Sequence, residues 1–325
     1  MLSAKSKNII VIIYVLAAYT VGIYLILQQS WLPNILGVVS ITHSLVISTA
    51  LTHEFIHGNI FKSRQLNVFW GEVMTHLNGA CYAPWTNLVE HHFNHHLHHV
   101  DVVRFDVMQY LSQEISAFQR SIYVALEWLY FPVLDFEMRW RIIFDPIMDP
   151  QKRSLLGRTI FWAMLRTLGF GLLAVISVKA LLLYFLAYVS FVNVNRFVDA
   201  FQHTYEYTIT GQEFPALDRA YEQKNTFSNL VSVRYPWLNL LYLNFGYHNA
   251  HHHNMSCPWH ELPALHHKLY GKVSDCLLPL PRLLSNYHRF RLRRLFAGQG
   301  AISAEREQFL ASFTGGVAIS LLTPP

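Results

Sequence analysis

The sequence predicts an all-α integral membrane protein, in which four transmembrane helices carry a cytosolic helical cap that holds a di-metal site. Hydrophobic residues make up 52% of the 325 residues and charged residues only 14%, whereas charged residues make up about 25% of a usual soluble protein. The 19 histidines crowd into a few short stretches. The apolar composition therefore predicts a lipid environment, and the clustered histidines predict metal ligands.

The first two apolar stretches predict two transmembrane helices joined by a short turn. Residues 9–27 form an uncharged run that follows two lysines. At about 1.5 Å per residue, this run is long enough to cross a hydrocarbon core. Residues 32–51 form the second run, in which His43 is the only ionisable group and is interpreted as a packing or tunnel-lining residue. A cleaved signal peptide is the alternative for the first run, but the run is longer than a usual signal core.

A third apolar block predicts the other two transmembrane helices, over residues 159–178 and 181–198. Arg166, Lys179 and, near its end, Arg196 interrupt the block, and we expect a tight turn near Lys179. Arg166 then lies inside the third span, where its long side chain is expected to extend toward the membrane surface. Two crossings are favoured over one because a single long crossing would separate the last histidine cluster from the first two.

Four spans place both chain termini and every histidine cluster on the cytoplasmic side of the membrane. Residues 52–158 and 199–325 then form the cap, and the whole chain, residues 1–325, is interpreted as a single domain. Basic residues of the first cap segment agree with this orientation, because cytoplasmic segments of membrane proteins are enriched in lysine and arginine. These basic residues are Lys62, Arg64, Arg104, Arg120, Arg139, Arg141, Lys152 and Arg153.

Net charge and cysteine content narrow the classes of partner. The net charge of +5 suits an anionic membrane surface or an acidic protein better than nucleic acid, because the basic residues form no long stripe with exposed aromatics. The densest basic group is Arg289, Arg291, Arg293 and Arg294. The three cysteines show no CxxC pairing and are interpreted as structural residues in a reducing compartment.

A segment inside the cap has the apolar periodicity of an amphipathic helix. From Ile115 to Val133, apolar residues recur at steps of three and four. The sequence therefore predicts one helix here, which lies either on the membrane or against the protein core.

The first histidine cluster directly follows the second predicted span. If the helix continues, His53 and His57 lie one turn apart on one face. A pair with this spacing is expected about once by chance in a chain so rich in histidine, so the pair alone is weak evidence. With Glu54, the cluster also reads His-Glu-x-x-His, which is typical of zinc metalloproteases.

Two later clusters contain the pattern His-x-x-His-His and carry most of the evidence for a metal site. Residues 91–99 contain it in two registers, His92/His95/His96 and His95/His98/His99, and residues 248–253 contain it once more as His248/His251/His252. On a helix, positions i, i+3 and i+4 converge on one side, so each triplet offers three imidazoles to a metal. Both patterns together are expected by chance in fewer than about one such chain in a hundred.

A further polar group lies where the fourth span ends. Asn195, Asp199 and His203 step by four residues, as on one helical face. His203 is predicted to be an isolated ligand. Asp199 is predicted to orient a ligand imidazole or to hold a water on the metal, although a polar end of the helix explains it equally well.

The number of histidines indicates two metal ions. Eight to ten imidazoles are too many for one zinc ion, which usually takes four ligands. Imidazole alone permits iron, zinc, copper or nickel. A histidine metal site beneath four transmembrane helices would meet acyl chains. Attack on an unactivated C–H bond requires activated dioxygen, so iron is favoured.

These histidine patterns resemble those of the membrane fatty acid desaturase superfamily, whose boxes read HxxxH, HxxHH and HxxHH and whose extra histidine precedes the third box. The resemblance covers about residues 9–270, and the sequence around the boxes is similar to that of bacterial fatty acid desaturases. The similar stretches are residues 101–106, 201–206, 225–228 and 258–263. The position of Asp101 favours the register His92/His95/His96.

The resemblance implies a set of nine metal ligands, with Asp199 at a position where some members have a polar ligand or water anchor. The implied ligands are His53, His57, His92, His95, His96, His203, His248, His251 and His252.

The resemblance further implies an oxidoreductase with two non-haem iron ions and dioxygen as co-substrate. The first interpretation is a desaturase that introduces a double bond into a fatty acyl chain, and the alternative is a hydroxylase or ketolase of a lipid or carotenoid. The sequence has no His-Pro-Gly-Gly signature of a fused haem module. A separate ferredoxin or cytochrome-type electron donor with its reductase is therefore implied, and the basic C-terminal group is a candidate docking face.

Two other classes of function compete with this interpretation. An intramembrane zinc metalloprotease accounts for His53, Glu54 and His57 but leaves both triplets unexplained. A metal transporter would place several ionisable residues within the spans, whereas here His43 and Arg166 lie inside them and Arg196 lies at the end of the fourth.

Overall fold

The computed structural model describes most of the chain and divides it into two compact units. The described residues are 2–271, 274–278, 280–297, 306–317 and 321–322. The first unit comprises Met1–Trp85 and Glu137–Asn193, and the second comprises Thr86–Phe136 and Val194–Pro325.

The described chain is mostly helical, in agreement with the prediction. The longer helices are α1 (Ala4–Ile26), α2 (Trp31–Ile56), α3 (Arg64–Asn78), α4 (Trp85–His98), α5 (Val107–Gln109, continued by a π turn at Tyr110–Glu114), α6 (Ala117–Trp128), α7 (Val133–Met148), α8 (Leu156–Ile176, preceded by a 3-10 turn at Pro150–Leu155) and α9 (Val178–Asp199). The shorter helices are α10 (Arg219–Lys224), a 3-10 turn at Pro236–Tyr242, α11 (His248–His253), α12 (Leu262–Tyr270), α13 (Leu280–Arg289), α14 (Arg294–Ala297) and α15 (Arg306–Ser312).

Among the residues that the structure describes, four helices are long and apolar enough to cross a membrane. They are α1, α2, α8 with its preceding 3-10 turn, and α9. Their positions agree with the four predicted spans to within several residues. Helix α2 continues five residues past the predicted span and carries the first histidine cluster. The expected helical continuation through this cluster is therefore confirmed.

Close contact between α1 and α2 depends on small residues. A Cβ atom added at Gly37 would lie 2.9 Å from the carbonyl oxygen of Gly22 and 2.9 Å from the amide nitrogen of Ile26. Serine hydroxyls strengthen the contact, because Ser40 Oγ donates to Ala18 O at 2.8 Å and Ser44 Oγ donates to Val15 O at 2.8 Å. Backbones that approach this closely gain packing and hydrogen bonds, which are the main source of helix association in lipid.

The connection between α8 and α9 is a single residue. Ser177 is extended, at φ −163° and ψ 109°, and its hydroxyl accepts from the amide of Ala180 at 3.1 Å. The turn thus lies two residues before the predicted position. Lys179 lies in the first turn of α9, where its amine donates to Gln28 O at 2.6 Å and to Asn34 Oδ1 at 2.8 Å.

The extension of Arg166 toward the membrane surface stays a prediction, and its guanidinium has polar contacts within the first unit. Its guanidinium donates to the carbonyl oxygen of His76 at 2.8 Å and approaches Cys81 Sγ at 3.8 Å. A carbonyl at the end of α3 has no helical partner of its own. The guanidinium of Arg166 therefore gives the His76 carbonyl a hydrogen bond that water would otherwise supply.

The predicted amphipathic helix over residues 115–133 is divided in two. A capping box of Ser116 and Gln119 starts α6, which ends at Trp128. Tyr130 then takes the left-handed conformation at φ 60°, and α7 begins at Val133. Pro132 supplies no amide donor and restricts the residue before it, so a continuous helix is interrupted here.

The second unit contains one short parallel sheet that the all-α prediction did not include. Strand β1 (Asp101–Val103) pairs with β2 (Tyr207–Ile209), with Val102 opposite Thr208.

An apolar cluster of the second unit packs phenylalanines from several segments. Its buried members are Ala200, Phe201, Phe227, Leu278, Leu283, Phe309, Leu310 and Phe313.

Candidate metal centre

Two helices of the second unit carry the two histidine triplets. The last turns of α4 hold His92, His95 and His96, and the short α11 holds the triplet that begins at His248. All six imidazoles are buried. Both triplets are thus helical, as the spacing predicted, and their side chains point inward.

Four histidines from three segments converge into a first group. They are His95, His203, His248 and His252, and each offers a ring nitrogen that lies within 4.8 Å of the other three. His248 Nε2 is 2.7 Å from His203 Nε2. Two nitrogens bound to one metal at about 2.0–2.1 Å lie roughly 3 Å apart, so this spacing fits ligands of a single ion.

A second group adjoins the first. His96 Nε2 is 3.1 Å from His92 Nε2 and 3.2 Å from His251 Nε2. The rings of His96 and His252 have centroids 4.3 Å apart, which brings the two groups into contact. Seven histidines of the second unit therefore form two neighbouring sets of candidate nitrogen ligands.

The first histidine cluster lies at the end of α2, in the first unit. The rings of His53 and His57 have centroids 4.6 Å apart, and His53 is 1% exposed. His53 Nδ1 is 3.5 Å from Glu54 Oε1. One turn of helix thus places the two imidazoles side by side, as predicted.

Acceptors at Nδ1 fix the orientation of two of the ligand candidates. His95 Nδ1 donates to Val100 O at 3.0 Å and lies 3.1 Å from Asp101 Oδ1. His252 Nδ1 donates to Glu222 Oε1 at 3.0 Å. A neutral imidazole that carries its proton on Nδ1 presents the lone pair of Nε2, which is the form that binds a metal.

His203 reaches the first group by a route that the sequence did not suggest. The prediction that His203 continues the helical face of Asn195 and Asp199 was wrong. Helix α9 ends at Asp199, and His203 lies in an antiparallel bridge with Thr226. Thr226 Oγ1 donates to the carbonyl of Glu222 at 2.8 Å and lies 3.4 Å from His203 Nδ1. The bridge and this hydroxyl therefore orient the His203 ring.

Burial and neighbouring charges shift the pKa values of groups in the centre in different directions. Burial, followed by the charges of His248 and His95, holds the pKa of His203 well below its usual value, so His203 is neutral. Burial alone would lower the pKa of His95, but its hydrogen bond to Asp101 and the charge of Asp101 raise that pKa overall. Burial raises the pKa of Glu222.

The structure distinguishes the two registers of the second box. The side chains of His92 and His96 lie in one group and that of His95 in the other. The ring of His98 stacks instead on Phe214, with centroids 4.0 Å apart. His99 lies beyond α4 at φ 56°, with Nδ1 3.5 Å from Glu222 Oε1. The geometry therefore favours His92/His95/His96.

Asp199 is the last residue of α9 and interacts electrostatically with His95 and Tyr242. It is half-buried. Its role as an orienting group or water anchor stays a prediction.

Sequence reasoning missed Glu222, which lies within 4.8 Å of both His96 and His252 through its carboxylate oxygen. No pattern marks it, because it lies on the six-residue α10 and 30 residues before His252. Asp101 and Thr226 lie in stretches whose sequence resembles that of the family, but the sequence alone assigned them no role. Contact with a ligand imidazole is the common property of all three.

The donor set fits the metal centre that the sequence predicted. The nitrogens lie at ligand spacing, and the Nδ1 atoms of His95 and His252 have protein acceptors. A family model described as fatty acid desaturase matches residues 29–279, a range that includes all three histidine boxes. A comparison with curated proteins gives no match. The chain therefore belongs to the fatty acid desaturase family.

Proposed function

We propose that the protein is a di-iron, dioxygen-dependent desaturase that introduces a double bond into a fatty acyl chain of a lipid. Convergence of four buried imidazoles on one point, with a second group beside it, is the observation that carries this proposal. Family membership supports an oxidoreductase of the desaturase and hydroxylase type. The four apolar helices support a membrane setting, where acyl substrates are found.

The proposed ligands are the seven histidines of the two groups described above together with His53 and His57. The family pattern, HxxxH followed by two HxxHH boxes, supports the addition of these two residues. This set would hold two iron ions, which would supply the dioxygen chemistry that an unactivated C–H bond requires. Asp199 is proposed to hold a water or to orient a ligand near His95.

The contribution of the chain itself is orientation and protection from solvent. Asp101 and Glu222 hold the Nδ1 protons of His95 and His252, which keeps their Nε2 lone pairs directed into the centre. Histidines of both groups are at most 7% exposed. Such burial excludes bulk water, which limits side reactions of an activated oxidant.

Electrons are proposed to come from a separate ferredoxin or cytochrome-type protein, which docks on the cytoplasmic side. The basic C-terminal residues support such a surface only in part. Arg289 and Arg293 are exposed, and Arg291 lies over the ring of Trp128 at 5.3 Å. Arg294 is 3% exposed and packs on Tyr287, so it is not available to an acidic partner.

Localisation and domain organisation follow from the same proposal. We propose a multi-pass integral membrane protein with one desaturase domain over residues 1–325, with the metal centre and both termini in the cytoplasm. The basic residues between α2 and α8 support this orientation.

Hydroxylation or ketone formation on a lipid or carotenoid is the alternative outcome on the same centre. Peptide hydrolysis at His53-Glu54-x-x-His57 is disfavoured, because the family match includes this cluster and accounts for it.

Lipid profiling tests the proposal. The chain, its His95→Ala variant and its His98→Ala variant are expressed in two hosts that have different electron donors. We expect a new unsaturated acyl chain with the unchanged chain and with His98→Ala, because His98 packs on Phe214 outside both groups. His95→Ala removes a nitrogen of the first group and is expected to abolish the product.

Each other outcome has a definite meaning. A new hydroxylated or keto lipid establishes the alternative chemistry. The absence of any new unsaturated or oxygenated lipid in both hosts, with the protein present in the membrane, contradicts the assignment. Metal analysis of the purified protein adds an independent measure, because two irons per chain are expected and bound zinc would contradict the iron centre.

A further inference from the structure

A cavity of about 360 Å³ lies within the first unit, lined by α1, α8, α9 and the end of α3. Its volume is within the range of about 300–1,000 Å³ that is usual for small-molecule sites. Most of the wall is apolar. The apolar lining includes Ile23, Leu27, Leu165, Leu172, Leu173 and Ile176. This cavity contains none of the histidines proposed as metal ligands.

Arg166 gives the cavity a cation at one end. Its guanidinium donates to His76 O, and among the residues that the structure describes no carboxylate forms an ion pair with it. A guanidinium has five N–H donors, so most of them remain for another acceptor. A cation inside an apolar helix is costly unless a negative group accompanies it. An anion in the cavity would supply that group.

Two tyrosines beside Arg166 add a further donor. Tyr19 and Tyr184 line the cavity, and their hydroxyl oxygens are 3.1 Å apart. One hydroxyl donates to the other, so the accepting hydroxyl keeps its own proton for a third group. Tyr184 is 3% exposed, and both tyrosines interact electrostatically with Arg166. The polar end therefore offers a hydroxyl donor and a positive charge to an acceptor.

We propose that this cavity binds a free long-chain fatty acid, with its carboxylate at Arg166 and its alkyl chain along α8 toward Ile176. Ten residues of helix separate Arg166 from Ile176, which is about 15 Å at the rise of an α-helix. The apolar walls match an alkyl chain, and the guanidinium matches a carboxylate, which it can bind through two parallel hydrogen bonds.

A single-chain acid fits better than other lipids. A phospholipid brings two acyl chains to a cavity of about 360 Å³. A neutral alkane or ester fills the apolar part but leaves the guanidinium without a negative partner. The inference concerns binding and is independent of the oxidation chemistry proposed above.

Glycines of α8 provide a matched pair of variants. Gly169 lines the cavity, whereas Gly171 on the same helix does not, and a Cβ atom at either position meets no heavy atom within 4 Å. Gly169→Leu is therefore expected to fill the cavity without strain. Gly171→Leu makes the same chemical change outside the cavity.

The test uses purified, delipidated protein and radiolabelled palmitic acid, with methyl palmitate as competitor. We expect palmitic acid to bind at least about tenfold more tightly than the ester, as one charge-assisted hydrogen bond predicts. Arg166→Leu should remove that preference, and Arg166→Lys, which keeps the charge, should retain part of it. Gly169→Leu should weaken binding of both ligands, and Gly171→Leu should bind them as the unchanged protein does.

A photoreactive palmitic acid with a diazirine at its methyl end locates the bound chain. Crosslinks are expected around Leu27 in α1 and Ile176 in α8, the end of the cavity away from Arg166. Crosslinks found only at residues around the metal centre would overturn the inference, because they would show that the acid binds as substrate alone. Equal affinity of acid and ester, or equal binding by Gly169→Leu and Gly171→Leu, would also overturn it.

Discussion

Glu222 is the residue that most clearly separates a metal centre from a cluster of packed histidines. Its carboxylate accepts from His252 Nδ1 at 3.0 Å and lies 3.5 Å from His99 Nδ1. Packing alone gives no reason to bury an acidic group, which is 4% exposed here. A carboxylate that holds the distal nitrogen of a ligand is a regular feature of histidine metal sites.

Replacing Glu222 by glutamine should therefore weaken metal binding while the fold is kept. Glutamine preserves the shape and one acceptor but removes the charge that increases the basicity of His252. We expect the affinity for iron to fall about 10- to 100-fold, measured as iron retained against increasing chelator. Glu213→Gln is the control, because Glu213 is exposed. Equal iron retention by the two variants would show that Glu222 has no such role.

Side-chain spacing predicted the two helical histidine triplets but not the groups that contact them. His95 and His252 repeat in a helical pattern, and such a pattern can be recognised in a single sequence. Glu222 contacts a histidine 30 positions away. That contact arises from tertiary folding, to which one sequence without relatives gives no guide.

Among the helices, the contact of α1 with α2 is the most sensitive to side-chain volume. Gly22 and Gly37 allow the two backbones to meet, and the atoms that a Cβ at Gly37 would approach include a carbonyl oxygen and an amide nitrogen. Backbone atoms cannot rotate away as the end of a flexible side chain can. An added methyl group must therefore separate the helices.

Gly37→Ala is accordingly expected to destabilise the protein, by about 1–3 kcal/mol as for other overpacked sites. Gly171→Ala on α8 is the matched control, because its Cβ meets open space. There alanine should stabilise the helix slightly, by at most about 1 kcal/mol. Thermal unfolding in detergent measures both. Melting temperatures that shift in the same direction would contradict the packing argument.

Helices were easier to predict than the interruptions between them. Long apolar runs identified α1, α2, α8 and α9, since length and hydropathy are local properties. The break at Tyr130 and Pro132 was missed because the apolar period continues through it. The bridge of His203 with Thr226 was also missed, since pairing between distant segments leaves no periodic signal.

At the scale of the whole molecule, the proposed iron centre should contribute to stability. Any ligand that binds only the folded state stabilises it, by about 2.7 kcal/mol when its concentration is a hundred times the dissociation constant. Chelation of the metal should therefore lower the melting temperature, and iron should restore it. His252→Ala is expected to melt at the same temperature with and without chelator. A chelator effect of equal size in that variant would place the bound metal elsewhere.

The fold class, mostly helical with four apolar helices, was predictable because composition and hydropathy act over long segments. The two-stranded sheet was not predictable, since each strand has three residues and no alternating pattern. Family membership followed from the three histidine boxes, which together make a specific pattern.

The short connections of the four apolar helices have a consequence for proteolysis. Residues 27–30 join α1 to α2, Ser177 alone joins α8 to α9, and Lys179 ties the two connections together through Gln28 and Asn34. A protease needs an extended segment of several residues to fill its active-site cleft, and neither connection offers one. A protease added to the folded protein should therefore leave both connections uncut.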